Sequence, residues 1–171
     1  MTRYTPISVV ITLLAVVSFL PAVGAAQDSV AVLTGPELAR VVPPGFYFQG
    51  QSAPTQMRNS AAARFGTDRY IVSGMVDTSG YSADIRAKYQ GFFITDSPLT
   101  LGGSSLEIGA YGFGFTNDGK FNVLDLSGKE ILSVSTSKDS ALRRPRPLMM
   151  TKNGDRLRLY AGRDYIEIAA R

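Results

Sequence analysis

Histidine and cysteine are both absent from the 171 residues of this chain, and that absence narrows its chemistry at once. Without His, the commonest general base and the commonest metal ligand are missing. Without Cys there is no thiolate nucleophile and no structural zinc site. A Ser-His-Asp hydrolase is excluded outright. Carboxylate pairs, Ser-Lys pairs, tyrosine and oxygen-ligated cations remain. No loop has the alternating Asp/Asn spacing of a calcium site, so neither a metal nor a cofactor is expected. Asp77, Asp84, Asp96 and Glu107 are the acids flanked by aromatic residues, the setting that sugar-cleaving carboxylates favour. Such a pair has to meet in space, about 5 to 10 Å apart. Ser60 with Arg64, and Ser82 with Lys88, lie close along the chain. Ser-Lys catalysis needs a buried lysine of lowered pKa, and nothing in the sequence marks Lys88 as buried.

The stretch Met75-Val76-Asp77-Thr78-Ser79-Gly80 resembles the active-site segment of aspartic proteases, in which an apolar strand runs into Asp-Thr-Gly or Asp-Ser-Gly. That chemistry needs two such aspartates sharing one proton. Here Ser79 stands where the motif has glycine, and Gly80 comes one place late. There is also no second Asp-Thr-Gly. A strand end followed by an Asx turn accounts for the fragment more simply, so no catalytic residue is assigned and the chain is expected not to be an enzyme.

Binding is the stronger expectation. In Gly109-Ala110-Tyr111-Gly112-Phe113-Gly114-Phe115, a strand would place Tyr111, Phe113 and Phe115 on one face and the small residues on the other. The aromatic face could line an apolar pocket, with Tyr89 adding to the aromatic supply. The plainer reading packs those rings into the core and spends the glycines on curvature. The polar segment Gly50–Ser60 is expected to join two strands at one end of the domain, where sites are commonly grafted. Arg58 within it and Arg64 just beyond it are the candidates for holding a carboxylate or phosphate bidentately. Arg143, Arg144 and Arg146, in the Ser137–Pro147 loop, make a modest basic patch that could meet anionic headgroups or a partner.

These residues need elements to position them. Thr34-Gly35-Pro36-Glu37 has the form of a capping box with Pro in the first turn, and predicts a short helix over Pro36–Val41 that stops at Pro43-Pro44. From Gly45 onward the period of two takes over. About ten short strands follow, among them Gln56–Phe65, Arg69–Val76, Lys88–Ile94 and a long strand over Leu106–Phe115, with a helical turn at Ser82–Arg86. Their separators are hairpin chemistry, Asn117-Asp118-Gly119 above all. The pattern predicts an all-β, antiparallel meander-type barrel or sandwich. A parallel α/β sheet is excluded because no room is left for crossover helices. A strand–turn–strand pattern around Asn117-Asp118-Gly119 and Gly128 recurs around Asn153-Gly154 and Gly162, as two similar meanders or chance convergence on hairpin turns would each produce. Gly45-Phe46-Tyr47 is a distant echo of the Gly-x-Trp of calycin-type carriers, and with no Trp in the chain no family is assigned.

The first residues read as an export signal. Arg3 precedes the apolar run Ile7–Leu20, and the small residues Ala22 to Ala26 follow. A membrane-spanning helix needs roughly 20 apolar residues, and this run ends at Pro21. Residues 1–26 are therefore expected to be a signal peptide, 27–44 a tether with the short helix, and 45–171 one β domain, with no transmembrane segment in the mature chain. Loss of Arg3 takes the formal charge from +4 to +3, too little to argue for nucleic acid. A cysteine-free exported chain fits the periplasm or exterior of a Gram-negative bacterium. The expected function is a non-enzymatic module that holds a small apolar or amphipathic ligand within the barrel. The alternative is a structural or protein-interaction domain of the envelope, and a carboxylate-based carbohydrate-active enzyme is the third reading.

Overall fold

A computed structural model describes residues 29–171; the expected signal peptide and its cleavage point lie outside the described residues. Val30–Val32 forms β1 and Gly35–Val41 forms α1. There follow β2 (Gly45–Phe48), β3 (Gln51–Phe65), β4 (Arg69–Val76), the single-turn helix α2 (Ala83–Arg86), β5 (Gly91–Thr95), β6 (Leu99–Leu101) and β7 (Ser104–Leu106). The chain continues through β8 (Gly109–Phe115), β9 (Lys120–Leu124), β10 (Glu130–Ser135), β11 (Ser137–Lys138), β12 (Arg146–Asn153), β13 (Arg156–Gly162) and β14 (Asp164–Ala170).

The helix forms where the sequence places it, with Pro in its first turn and Val42 as its C-cap. Thr34 takes the N-cap position in an extended conformation, but its side chain makes no cap hydrogen bond, so the capping box is not closed. The hairpin signals hold. Gly119 adopts φ 76° between β8 and β9, a left-handed conformation that few other residues tolerate.

All strand pairings are antiparallel and fall into two open sheets, not a closed barrel. The first sheet runs β1-β3-β4-β5-β8-β9-β10, with β2 also paired to β3; the second runs β12-β13-β14-β6-β7, with β11 paired to β14. A sandwich-like all-β arrangement is therefore the form the fold takes. The repeated sequence pattern corresponds to two three-stranded meanders, β8-β9-β10 in the first sheet and β12-β13-β14 in the second.

Three further expectations are corrected. The polar Gly50–Ser60 segment does not join two strands: from Gln51 onward it is the first part of β3, paired with β2 through Pro54 and with β4 at Thr55. The strand predicted over Leu106–Phe115 is split: β7 pairs with β6 in the second sheet, while β8 pairs with β5 and β9 in the first. Glu107 and Ile108 are the corner, and Ile108 is 59% exposed there. Nor is the stretch before the helix a mere tether, since Val30, Ala31 and Val32 pair with Phe65, Arg64 and Ala63.

The central strands of the first sheet are covered on both faces, and their period of two sorts residues between two cores. Ala63, Phe65, Ile71, Phe93, Phe113 and Phe121 point inward and meet Leu99, Leu101, Leu157, Leu159 and Ile168 of the second sheet. Ala62, Val72, Phe92 and Leu124 point outward under a cover of Leu33, Phe46, Phe48, Tyr81 and Tyr89. That outer layer is held by stacked rings, with Phe48 on Tyr89 at 3.9 Å and Phe46 on Phe92 at 5.2 Å. The interior between the sheets is occupied by side chains.

Candidate functional site

Arg64 and Tyr70 are register partners across the β3–β4 hairpin, so their side chains leave the sheet on the same face, the outer one. Leu33, whose amide donates to the Ala62 carbonyl at 2.9 Å, extends the β1 edge beside them. α1 lies above, its Leu38 and Val41 half-buried against the outer core. On that helix Glu37, Arg40 and Val41 are three and four residues apart and share one side. Between helix and sheet is a groove of about 300 Å³ lined by Leu33, Glu37, Arg40, Val41, Arg64 and Tyr70. Apolar side chains supply part of its wall, and two guanidinium groups with one phenol supply the polar part.

The Arg64 Nε is buried and has no hydrogen-bond partner. A buried donor left unmatched costs about 1–3 kcal/mol, more for a charged group. Among the described residues, no ion pair joins Glu37 to either arginine. The groove thus holds two arginines that are not ion-paired to Glu37, beside Leu33 and Val41, a combination that suits a carboxylate or phosphate with a hydrocarbon part.

A second groove, of about 220 Å³, lies on the other flank of α1 against β12. It is lined by Val32, Leu33, Leu38, Ala61, Leu148, Met149 and Met150, with Thr34, Gly35, Ser60 and Arg146 completing it. A third, of about 310 Å³, is on the outer face of the second sheet between Thr100, Gly102, Gly103, Arg156, Glu167 and Ala169. There the charges are matched. Glu167 accepts from Arg158 at 3.2 Å, from Arg156 at 3.3 Å and from Asn153 at 3.3 Å.

The structure disperses the residues that the sequence grouped. Arg58 is exposed on a bulge of β3, where the register with β4 shifts between Thr55 and Ser60. That bulge is braced by its own side chains, Asn59 Nδ2 donating to Gln56 Oε1 at 2.8 Å, and Arg58 lines none of the three grooves. Arg64 does line one. Phe113 is fully buried between the sheets, stacked on Phe121 at 5.5 Å. Phe115 is half-buried with its ring edge-on to Phe121 at 5.0 Å. The half-buried Tyr111 donates its hydroxyl to the Glu107 carbonyl at 3.0 Å. On the opposite face of β8, a Cβ at Gly112 would come within 2.5 Å of the Phe48 ring, and one at Gly114 would strike the Lys88 carbonyl. The space those glycines open is filled by the protein itself. Tyr89 is fully buried against Phe48.

The acids do not assemble either. Asp77 is exposed, and the Ser79 amide donated to its Oδ1 at 3.0 Å holds its carboxyl below the usual range, the reverse of a proton-sharing dyad. Asp96 accepts the Tyr70 amide at 2.6 Å and Glu107 pairs with Arg171 at 3.4 Å. None of the three grooves is lined by two carboxylates.

Arg40, Glu37, Val41, Tyr70 and Leu33 were not singled out from the sequence. The helical spacing of 37, 40 and 41, and the pairing of 64 with 70 about Gly66-Thr67-Asp68, were both readable. Which face of the sheet the helix covers was not. No protein-family model, no curated protein and no solved structure matches the chain.

Proposed function

We propose that the protein is an exported, non-enzymatic binding module for a small amphipathic anion. The ligand sits in the groove between α1 and the outer face of the first sheet, its charged group on Arg64 and Arg40 and its apolar part against Leu33 and Val41. The buried, unmatched Nε of Arg64 carries this reading, because an anion in the groove would relieve its desolvation. Binding occurs outside the sandwich, whose interior is packed with side chains. Export rests on the basic, apolar and small-residue order of Met1 to Ala26. Titration of the isotopically labelled protein with sodium hexanoate or hexyl phosphate, followed by NMR, tests it. The expected result is saturable shifts at Arg64 Nε and along α1, with affinity at least tenfold lower in Arg64→Met and unchanged in Arg156→Met. Absence of any shift at those positions would overturn it.

A second reading, an interaction domain of the envelope, draws on a different observation. β10 ends the first sheet, and its Ile131 is 45% exposed, the kind of edge that natural proteins usually protect. Concentration-dependent dimers that disappear in Ile131→Lys would favour it, and a strict monomer would remove it.

A further inference from the structure

The two grooves flanking α1 differ in chemistry but share a wall. Leu33 lines both. On one side are Arg40 and Arg64; on the other are Leu38, Leu148, Met149 and Met150, about 220 Å³ with no acid among its lining residues. From the juxtaposition of these grooves we infer that the ligand is a single-chain amphiphile, its anionic head on Arg40 and Arg64 and its alkyl tail passing beneath α1 into the methionine-lined groove. This rests on the anion-binding reading above and specifies its ligand.

Three observations support the passage. α1 spans only Gly35–Val41, has no fully buried residue, and meets the outer core through Leu38 and Val41 alone. Its N-cap makes no side-chain hydrogen bond, which leaves that end weakly fastened. Methionine side chains are unbranched and polarizable and adapt to chains of differing length, and here two of them stand in sequence on β12. Arg146, an exposed residue lining the second groove, would limit the apolar path. The head recognised is a carboxylate or a phosphate monoester, since both match a guanidinium fork.

The experiment measures affinities of the exported protein for n-alkyl carboxylates and n-alkyl phosphates of four, eight and twelve carbons, below their micelle concentrations. Each methylene that enters the apolar groove should raise affinity about three- to fourfold. Leu38→Gln and Met149→Gln, both at half-buried positions, should flatten that dependence while leaving the four-carbon ligand's affinity unchanged. Arg64→Met should lower affinity equally at every length. The carboxylate and phosphate arms distinguish a fatty-acid head from a phosphate-monoester head, and tight binding in either supports the inference. Arg64-dependent binding that ignores chain length would overturn the tail path and leave the anion site standing. Failure of every ligand to bind would overturn both. Circular dichroism and thermal melts of the variants ensure that a lost length dependence is not lost folding.

Discussion

Two grooves of nearly equal volume, about 310 and 300 Å³, each carry arginine and glutamate, yet their polar groups have opposite fates. On the outer face of the second sheet, Glu167 receives Arg156, Arg158 and Asn153, and Arg158 also lies 4.6 Å from the centre of the Tyr165 ring. Those donors are spent on the protein. Beside α1, the Arg64 Nε is buried without a partner. The difference teaches that volume and residue type do not separate the two grooves; the commitment of their donors does. It also has a geometric origin. Arg158 and Glu167 are register partners on adjacent strands, so the sheet itself brings them together. Arg64 faces Tyr70 across its hairpin, and tyrosine cannot neutralise it.

The largest effect should separate the two grooves by charge reversal. Arg64→Glu is expected to abolish anion binding, by a hundredfold or more, because it replaces a donor fork with a repelling acid; Arg158→Glu should leave binding within about twofold. Calorimetric titration of both variants with octanoate decides it. The comparison fails if the two variants lose affinity alike. Next in size is Glu167→Ala, which removes the acceptor of two guanidinium groups at once. Urea melts should show a loss of about 1 kcal/mol, kept modest by the partial exposure of the cluster. The same variant should acquire weak anion binding in the second-sheet groove, since donors released from Glu167 become available.

Much of this architecture was legible because it is local. Asn117-Asp118-Gly119 demanded a turn and made one, and Pro36 with Pro43-Pro44 bracketed a helix of the right length. What failed was non-local. Nothing along Leu106–Phe115 announces that the chain changes sheets at Glu107–Ile108, because alternation continues on both sides of the corner. A barrel and a sandwich share the same period of two, and only the pairing of β14 with β6 assigns the second sheet. Arg64 was legible as a candidate and does line a groove, but the arginine beside it there is not Arg58, six residues before it. The β3 bulge turns Arg58 to solvent, and α1 delivers Arg40 instead. The glycines of β8, read as spent on curvature, instead make room for close packing, and the ring against Gly112, Phe48, is more than sixty residues away in sequence.

Tyr89 tests from the other side whether an uncommitted polar atom implies a ligand. Its hydroxyl is also buried and unmatched, while the neighbouring Tyr81 hydroxyl bonds to the Phe48 and Gln51 carbonyls. Unlike Arg64, it lines none of the three grooves. Tyr89→Phe should therefore stabilise the fold by about 0.5–1 kcal/mol at neutral pH and leave anion binding untouched. Burial, then the Tyr81 phenol, pushes the Tyr89 pKa well above its ordinary 10.0. Below about pH 10 both folded and unfolded chains keep the proton, and the neutral ring contributes fully to stability. Above it the unfolded chain deprotonates first, so stability falls as pH rises from about 10 to 12. Urea midpoints across that range should decline less steeply in Tyr89→Phe. An unchanged slope would mean the phenol is not sealed, and the contrast with Arg64 would lose its control.

The smallest effect lies within the α1 groove, at Glu37. Its carboxylate shares the lining with Arg40 and Arg64 but pairs with neither. An incoming anion meets two attractive charges and one repulsive charge in a solvent-open groove, where salt screens each over about 10 Å. Glu37→Gln removes the repulsion without removing a bond. Anion affinity should rise about two- to threefold at low salt, and the gain should shrink toward none by about 0.5 M salt. Fold stability should change by no more than about 0.5 kcal/mol, as for an ordinary exposed position. The opposite result, weaker binding in Glu37→Gln, would mean that the carboxylate orients Arg40 or Arg64 for the ligand. The α1 groove would then resemble the Glu167 groove, its arginines held by the protein before any anion arrives, and the distinction between spent and unspent donors would no longer separate the two.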